Sequence, residues 1–301
     1  MKRITRDSRI AGALLGFAAG DALGATTEFM SPKNVRKTYG VHRNITGGGV
    51  LNWRPGQGTD DSDLMFTYAR VCRRGYSLKR LADAYLAWLD AEPKDVGGTT
   101  QRALKHYAEF GDPTLSGAAV ATKTSVGNGS LMCSLPTGLI SLAPGARTLR
   151  ARVVSGITHT DPRCEDSCIA YAHLTAALVR GDDLAITVRR VRTLFPQGTH
   201  VEEVLRKAPK LRFAQLRFSG YVLDSLTVAA WAICQDDSLE NLLIKIVNQG
   251  DDADTTAAIA GGLLGARDGE DAVPERWRRK LEYAQQAVSL GKTFALGHHS
   301  C

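Results

Sequence analysis

Residues 248–256 read Asn-Gln-Gly-Asp-Asp-Ala-Asp-Thr-Thr, and an apolar, small-residue run over 257–266 follows directly. Three carboxylates fall within four positions, with no basic residue among them. The pattern predicts a loop whose acidic end opens a helix. The same grammar occurs much earlier in the chain, as Gly58-Thr59-Asp60-Asp61-Ser62-Asp63 followed by Leu64-Met65-Phe66. Two carboxylates about 4 Å apart repel by roughly 1 kcal/mol in water and several times that in a drier site. Helix capping is one explanation, since Asp is a good N-cap and acids in a first turn gain about 0.3–1 kcal/mol from the helix dipole. It accounts for one or two acids per helix, and poorly for three, twice over. The sharper explanation is that the clusters meet in space and share bound cations.

All-oxygen ligands suit hard ions such as Mg, Mn or Ca. An EF-hand is excluded: counted from Asp252, Ala257 stands where its Gly should be and Leu263 where its Glu should be. A site split between two distant helix starts points instead to a two-metal centre, in which paired ions hold a substrate oxygen and an attacking water.

Working outward, Gly12, Gly16 and Gly20 recur every four residues along a predicted helix over 8–23. Glycine inside a helix costs up to about 1 kcal/mol, so the row calls for close approach of another helix. The glycine-rich run 261–266 is the plausible partner. That pairing would bring the ends carrying Asp21 and Asp254 into one central site. Further helical patterns cover 60–74, 77–90, 99–110, 147–157, 163–179, 184–195, 220–234, 239–247, 254–267 and 275–290. Residues 25–56 read as one long, turn-rich loop. No strand alternation, repeat or linker stands out. The expectation is an all-α chain, residues 1–301 forming a single compact domain of orthogonally packed helices around a central dinuclear metal site.

The chain has 301 residues, 44% of them hydrophobic, and a formal net charge of +7. No apolar run reaches the roughly 18 residues of a membrane span, and no signal-peptide grammar is present; a cytoplasmic monomer is expected. The six cysteines lack zinc-site spacing and read as reduced thiols. Basic clusters at 189–192, 206–217 and 276–280 carry no nucleic-acid-binding signature and read as solvated helix faces. The nucleophile elbow and H-E-x-x-H are absent. Gly291-Lys292-Thr293 fails as a phosphate loop at Gln286, and Gly127-Asn128-Gly129 fails as a dinucleotide fingerprint at Met132. The latter still offers backbone N–H groups to a phosphate, or forms an ordinary Asn-Gly turn. His159 stands at a helix-to-loop boundary, where a lone His is more often structural than functional.

Together the motifs resemble the ADP-ribosylglycohydrolase family, most closely its bacterial dinitrogenase reductase-activating branch. The marks are GALLGFAAGDALGATTEFM, VHRNITGGG, PGQGTDDSD, DVGGT, GNGSLM, ITHTDP and NQGDDADTTAAIAGGLLGA. They run in the family's order over nearly the whole chain. The resemblance implies an all-α fold with two divalent cations, Mg or Mn, held by Thr59, Asp60, Asp61, Asp252, Asp254 and Thr255. It implies catalytic roles for Glu28, beside the metals, and Asp95, near the target guanidinium. Gly127, Asn128 and Gly129 would hold the diphosphate-ribose, His159 would contact substrate and Tyr221 would stack on adenine. The implied activity is removal of ADP-ribose from arginine on an ADP-ribosylated protein. The nearest alternatives are a serine-linked or O-acetyl-ADP-ribose substrate, or an immunity-type protein countering an ADP-ribosylating toxin. Two positions depart from the family pattern: Asp251 stands for a Gly, and Cys133 for an Arg.

Overall fold

A computed structural model describes residues 4–297. Its axis is the first helix, Arg6–Gly24, started by Thr5, whose side chain accepts from the Ser8 amide. Every residue from 10 to 24 is buried, so this helix has no solvent face and its sequence is apolar or small all round. It packs antiparallel along Ala253–Asp268, which is equally buried from 253 to 266. The glycine row is the reason they fit. A Cβ on Gly16 would collide with the Gly261 carbonyl, one on Gly261 with the Gly16 carbonyl, and one on Gly24 with the Asp254 backbone. The last turn of the first helix therefore lies against the first turn of the second, with Asp21 and Asp254 at that shared end.

Asp60–Arg74, Pro162–Arg180, Leu239–Val247 and Ala284–Ala295 surround this pair, and Val222–Ile233 covers the second helix. Among the described residues there is no strand, only two isolated bridges, Gly48 with Trp53 and Gly127 with Tyr221. The all-α expectation holds, and helix ends fall within about three residues of the predicted ones in most cases.

Besides the short helices Ser116–Ala119, Gly129–Cys133 and Leu135–Leu139, three stretches differ. Within the expected loop 25–56, Pro32–Tyr39 is a helix: Ser31 caps it and Pro32 opens it. Proline is as much a helix-start signal as a turn signal, and with Val35 its single buried residue the helix has almost no apolar stripe. The expected helix 275–290 is split into Glu275–Arg278 and Ala284–Ala295. Between them the backbone turns to Gly56, whose carbonyl accepts from the Glu282 amide at 2.9 Å. His200–Lys207 was not expected. Its inward face carries Glu202 between Arg192 and Arg206, which breaks the apolar pattern.

Candidate active site

The floor of the site is built where the two central helices meet Asp60–Arg74. Thr59 caps that helix, its Oγ1 accepting from the Asp61 amide. The Asp21 carboxylate reaches across and accepts from the backbone N–H groups of Thr59 and Ser62, both at 3.1 Å. Asp61 Oδ2 accepts from the Thr59 hydroxyl at 3.2 Å and from the Thr255 hydroxyl at 3.1 Å. Ligand-type oxygens of Asp21, Asp61 and Asp254 lie within 4.8 Å of one another, as do those of Glu28, Asp252 and Asp254. Asp254 belongs to both groups, so the two form one continuous acidic patch.

Glu28 is placed by a stitched loop. The Thr27 hydroxyl donates to the Val247 carbonyl at 2.7 Å. The Phe29 amide donates to the Asp251 carbonyl and the Asp251 amide to the Met30 carbonyl, each at 2.8 Å. Glu28 is thereby held beside Asp252 and Asp254 and is only 5% exposed. Asn128 is fixed from the other side: its Nδ2 donates to Asp252 Oδ2 at 2.7 Å and to Ser225 Oγ at 2.9 Å.

Above the floor opens a cavity of about 370 Å³, within the size range of small-molecule sites. Glu28, Asp60, Asp252, Asp254 and Thr255 form its acidic wall. Asp95 lines it from the loop that also meets Asp60, and Gly127, Asn128, Gly129 and His159 complete the lining. His159 is buried, with Nδ1 2.9 Å from the Thr158 hydroxyl, and its ring packs against Gly129, where a Cβ would press on it. Burial and nearby Arg102 lower its pKa to about 4, so the ring is neutral at physiological pH. Thr59 and Asp61 do not line the cavity; they lie beneath it. Tyr221 also does not line it, but forms an isolated backbone bridge with Gly127 and lies under Arg163, whose guanidinium is 5.9 Å from the ring centroid.

The electrostatics show what the patch requires. Burial, followed by the charges of Asp95, Asp252 and Asp60, pushes Glu28 up to about 9. Burial and the neighbouring carboxylates take Asp60 to about 8 and hold Asp61 and Asp254 well above the usual range. Asp21, also buried, rises only to about 6 because the Ser62 and Thr59 groups favour its charged form. Glu28 Oε2, Asp61 Oδ1 and Asp254 Oδ1 are buried without a hydrogen-bond partner. Native proteins leave few such atoms. Unpartnered, mutually repelling carboxylate oxygens within one another's reach are the donor set a hard divalent cation takes up, so the residues fit a metal site.

Not every acid of the two sequence clusters takes part. Asp63 accepts from Trp88 Nε1 at 3.0 Å and from the Tyr283 hydroxyl, away from the cavity. Asp251 is exposed and sits at φ 56°, a left-handed conformation that glycine adopts more readily. Its departure from the pattern thus adds a solvent-facing acid; burial raises the pKa of Asp252, and the Asp251 charge adds to that. Cys133 is buried, its thiol 3.2 Å from the Gly129 carbonyl, and burial, followed by the charge of Asp61, keeps it protonated and neutral. Asp21, not among the ligands that the resemblance implies, lies with Asp61 and Asp254 in this patch. The signal was an acid inside an otherwise apolar helix.

Buried carboxylates gathered from several helix ends beneath a small-molecule cavity define an all-helical protein with a site able to hold metal. A family model for ADP-ribosylglycohydrolase matches residues 2–299, and the chain belongs to that family. The chain is 33% identical over 279 residues to the ADP-ribosyl-[dinitrogen reductase] glycohydrolase of Rhodospirillum rubrum, covering 91% of this chain and 90% of that protein. It is 28% identical to the ADP-ribosylarginine hydrolase Tri1 of Pseudomonas putida, covering 94% and 77%. A solved structure, titled ADP-ribosylglycohydrolase-related protein complex, superposes with TM-score 0.82 at 30% identity, over 98% of this chain and 99% of that one.

Proposed function

We propose that the protein hydrolyses the N-glycosidic bond between ADP-ribose and an arginine side chain on a modified protein, with two divalent cations, Mg or Mn, as cofactors. The observation that carries this reading is that half-buried Asp95 lines the same cavity as Glu28, Asp60 and Asp254, close enough for its charge to act on Glu28 and Asp60. A carboxylate there suits a guanidinium, which pairs with carboxylates through parallel hydrogen bonds. The names of the relatives, an arginine hydrolase among them, agree with it.

Asp60, Asp61, Asp252, Asp254, Thr255 and Thr59 would hold the cations, with Asp21 added from the structure. Bound there, divalent cations would supply Lewis acidity toward the distal ribose hydroxyls and a water. Glu28, held protonated by its surroundings in the cation-free site, would release that proton beside bound cations and then orient or deprotonate the water. Asn128, tied to Asp252, would couple the acidic wall to the diphosphate, which Gly127 and Gly129 would receive on their backbone N–H groups. Neutral His159 would offer Nε2 to the same ligand. Tyr221 would meet the adenine end outside the cavity.

The test is release of ADP-ribose from ADP-ribosyl-arginine and, in parallel, from ADP-ribosyl-serine and O-acetyl-ADP-ribose, with Mg or Mn and then with EDTA. Cation-dependent turnover of the arginine conjugate alone is expected. Asp95→Ala is expected to weaken that turnover much more than binding of free ADP-ribose. Turnover of the serine or acetyl conjugate in its place, or activity untouched by EDTA, would overturn the reading.

A further inference from the structure

A second cavity, of about 240 Å³, lies between the helices Pro144–Gly156, Pro162–Arg180 and Leu184–Arg192. Its charge is opposite to that of the catalytic cavity. Arg147, Arg180, Arg190 and His173 line it, and Asp182 is the one acid among its lining residues. Asp182 is already engaged by Arg180 at 2.6 Å.

Arg147 is the unusual member. It is only 6% exposed. Its Nη2 donates to the Leu142 carbonyl at 2.7 Å, while its buried Nε has no partner. Among the described residues no carboxylate pairs with it. Thr187, 2% exposed, lines the same cavity and leaves its hydroxyl without a partner. Burying a charge without a counter-charge is far costlier than leaving it in water. Here a second guanidinium, Arg180, adds repulsion and lowers the pKa of Arg147 further. His173, 2.9 Å from the Thr148 hydroxyl, is pushed down to about 4 by burial and by the same two arginines. A role for Arg147 confined to tying down Leu142 needs one hydrogen bond. It does not account for a cavity walled by further arginines, or for the idle donors.

We propose that this cavity binds a phosphate-type oxyanion, as inorganic phosphate or the phosphate of a small monoester. Such an ion accepts several hydrogen bonds at once and supplies the charge that Arg147 and Arg190 lack. The site is remote from the reaction. Helix Pro162–Arg180 begins two residues after Thr160, beside His159 in the catalytic cavity, and its 19 residues carry it about 28 Å to Arg180 at the other end.

The test uses the full chain at low ionic strength in EDTA, which removes any cation that could hold phosphate at the catalytic carboxylates. Binding of inorganic phosphate and of glycerol 3-phosphate is measured by calorimetry and by melting temperature. The wild type should bind, and tighter binding of the ester would identify the monoester as the preferred form. Arg190→Ala, at an exposed position, should weaken binding by about tenfold, as expected for one charge-assisted contact. Arg147→Met should abolish it, and in phosphate-free buffer should melt no lower than the wild type because a buried unpaired charge is gone. If Arg147→Met fails to fold, Arg190→Ala decides alone. Equal phosphate binding in wild type and Arg190→Ala, or an equal response to chloride at matched ionic strength, would overturn the proposal.

Discussion

The two acidic helix starts look alike in sequence and are used differently. In Asp60–Arg74 the cap is a hydroxyl, that of Thr59, which leaves the acids free: Asp60 faces the cavity and Asp61 the floor. In Ala253–Asp268 the N-cap residue is Asp252, yet its side chain makes no capping bond. Its carboxylate takes the Asn128 amide instead. Neither helix start relies on a carboxylate as its cap, so capping does not explain the clusters. Each cluster also places one of its three acids outside the site, and by a different route. Asp63 is held by Trp88 and Tyr283, and Asp251 is turned to solvent by its backbone. Asp21 and Glu28, from the first helix and the loop after it, complete the patch.

The largest effect should separate acids within one cluster. Asp60→Ala and Asp254→Ala are each expected to abolish ADP-ribosyl hydrolysis and lower cation occupancy, with helical content retained by circular dichroism. Asp63→Ala should leave turnover within a few-fold and cost stability, about 1–3 kcal/mol for the donors it strands on Trp88 and Tyr283. If all three variants lose a little stability and no activity, capping is what the acids do. A smaller effect is expected at Glu28. Glu28→Gln keeps the size and a hydrogen-bonding oxygen, so cation binding by calorimetry should persist while turnover falls by roughly 10²–10⁴, the range for a positioned acid–base group. Collapse of cation binding would make Glu28 a ligand; unchanged turnover would remove it from the reaction.

The central helix pair was legible from the sequence because it obeys one rule: glycines at every fourth position in two segments demand mutual approach, and the Gly16–Gly261 contact is that approach. The acids at the paired ends followed from it. What was not legible is which way each acid faces. Asp63 and Asp60 differ by three positions on one helix, nearly a full turn, and only the presence of Trp88 and Tyr283 nearby separates them. Asp21 was visible as an acid in an apolar helix, but its partners are the backbone amides of Thr59 and Ser62, and no side-chain motif announces those. The second cavity was hidden for a similar reason. Arg147 belongs to one helix and Thr187 and Arg190 to another, and the basic cluster containing Arg190 reads as a solvated face, as exposed Arg189 indeed is.

The carboxylate patch should also make cation-free stability depend on pH in an unusual direction. These carboxyls titrate near 4 when unfolded, and in the fold at about 6 for Asp21, 8 for Asp60 and 9 for Glu28. Between those limits the unfolded chain has lost protons that the folded one retains. Stability contributed by the patch is therefore greatest near pH 4 and falls as pH rises toward 9. Melting in EDTA should show it as a difference between wild type and Asp254→Asn that widens with pH, the variant being the more stable at the alkaline end. Added Mg or Mn should raise the melting temperature of the wild type most at that end. A difference independent of pH would mean that the carboxylates are not coupled as the geometry indicates.

The smallest effect belongs to Asp251, the acid that the comparison leaves outside the site. Its φ of 56° costs a side chain about 1 kcal/mol or more, though Asp tolerates that region better than most residues. Glycine would relieve this strain but widen the freedom of the unfolded chain by about 0.4–1 kcal/mol. The two terms nearly cancel. The backbone bonds to Phe29 and Met30 need no side chain and persist in either case. Neighbouring Gly250 differs: a Cβ there would collide with the Met30 carbonyl, so only at 251 is a side chain accommodated. Asp251→Gly should therefore change stability by less than about 1 kcal/mol. It should leave hydrolysis within about threefold, since removing one exposed charge is screened by solvent and salt. Cation affinity should fall slightly, because a negative charge near Asp252 is lost. A loss of turnover as large as that at Asp254 would bring Asp251 into the site and erase the asymmetry between inward and outward acids.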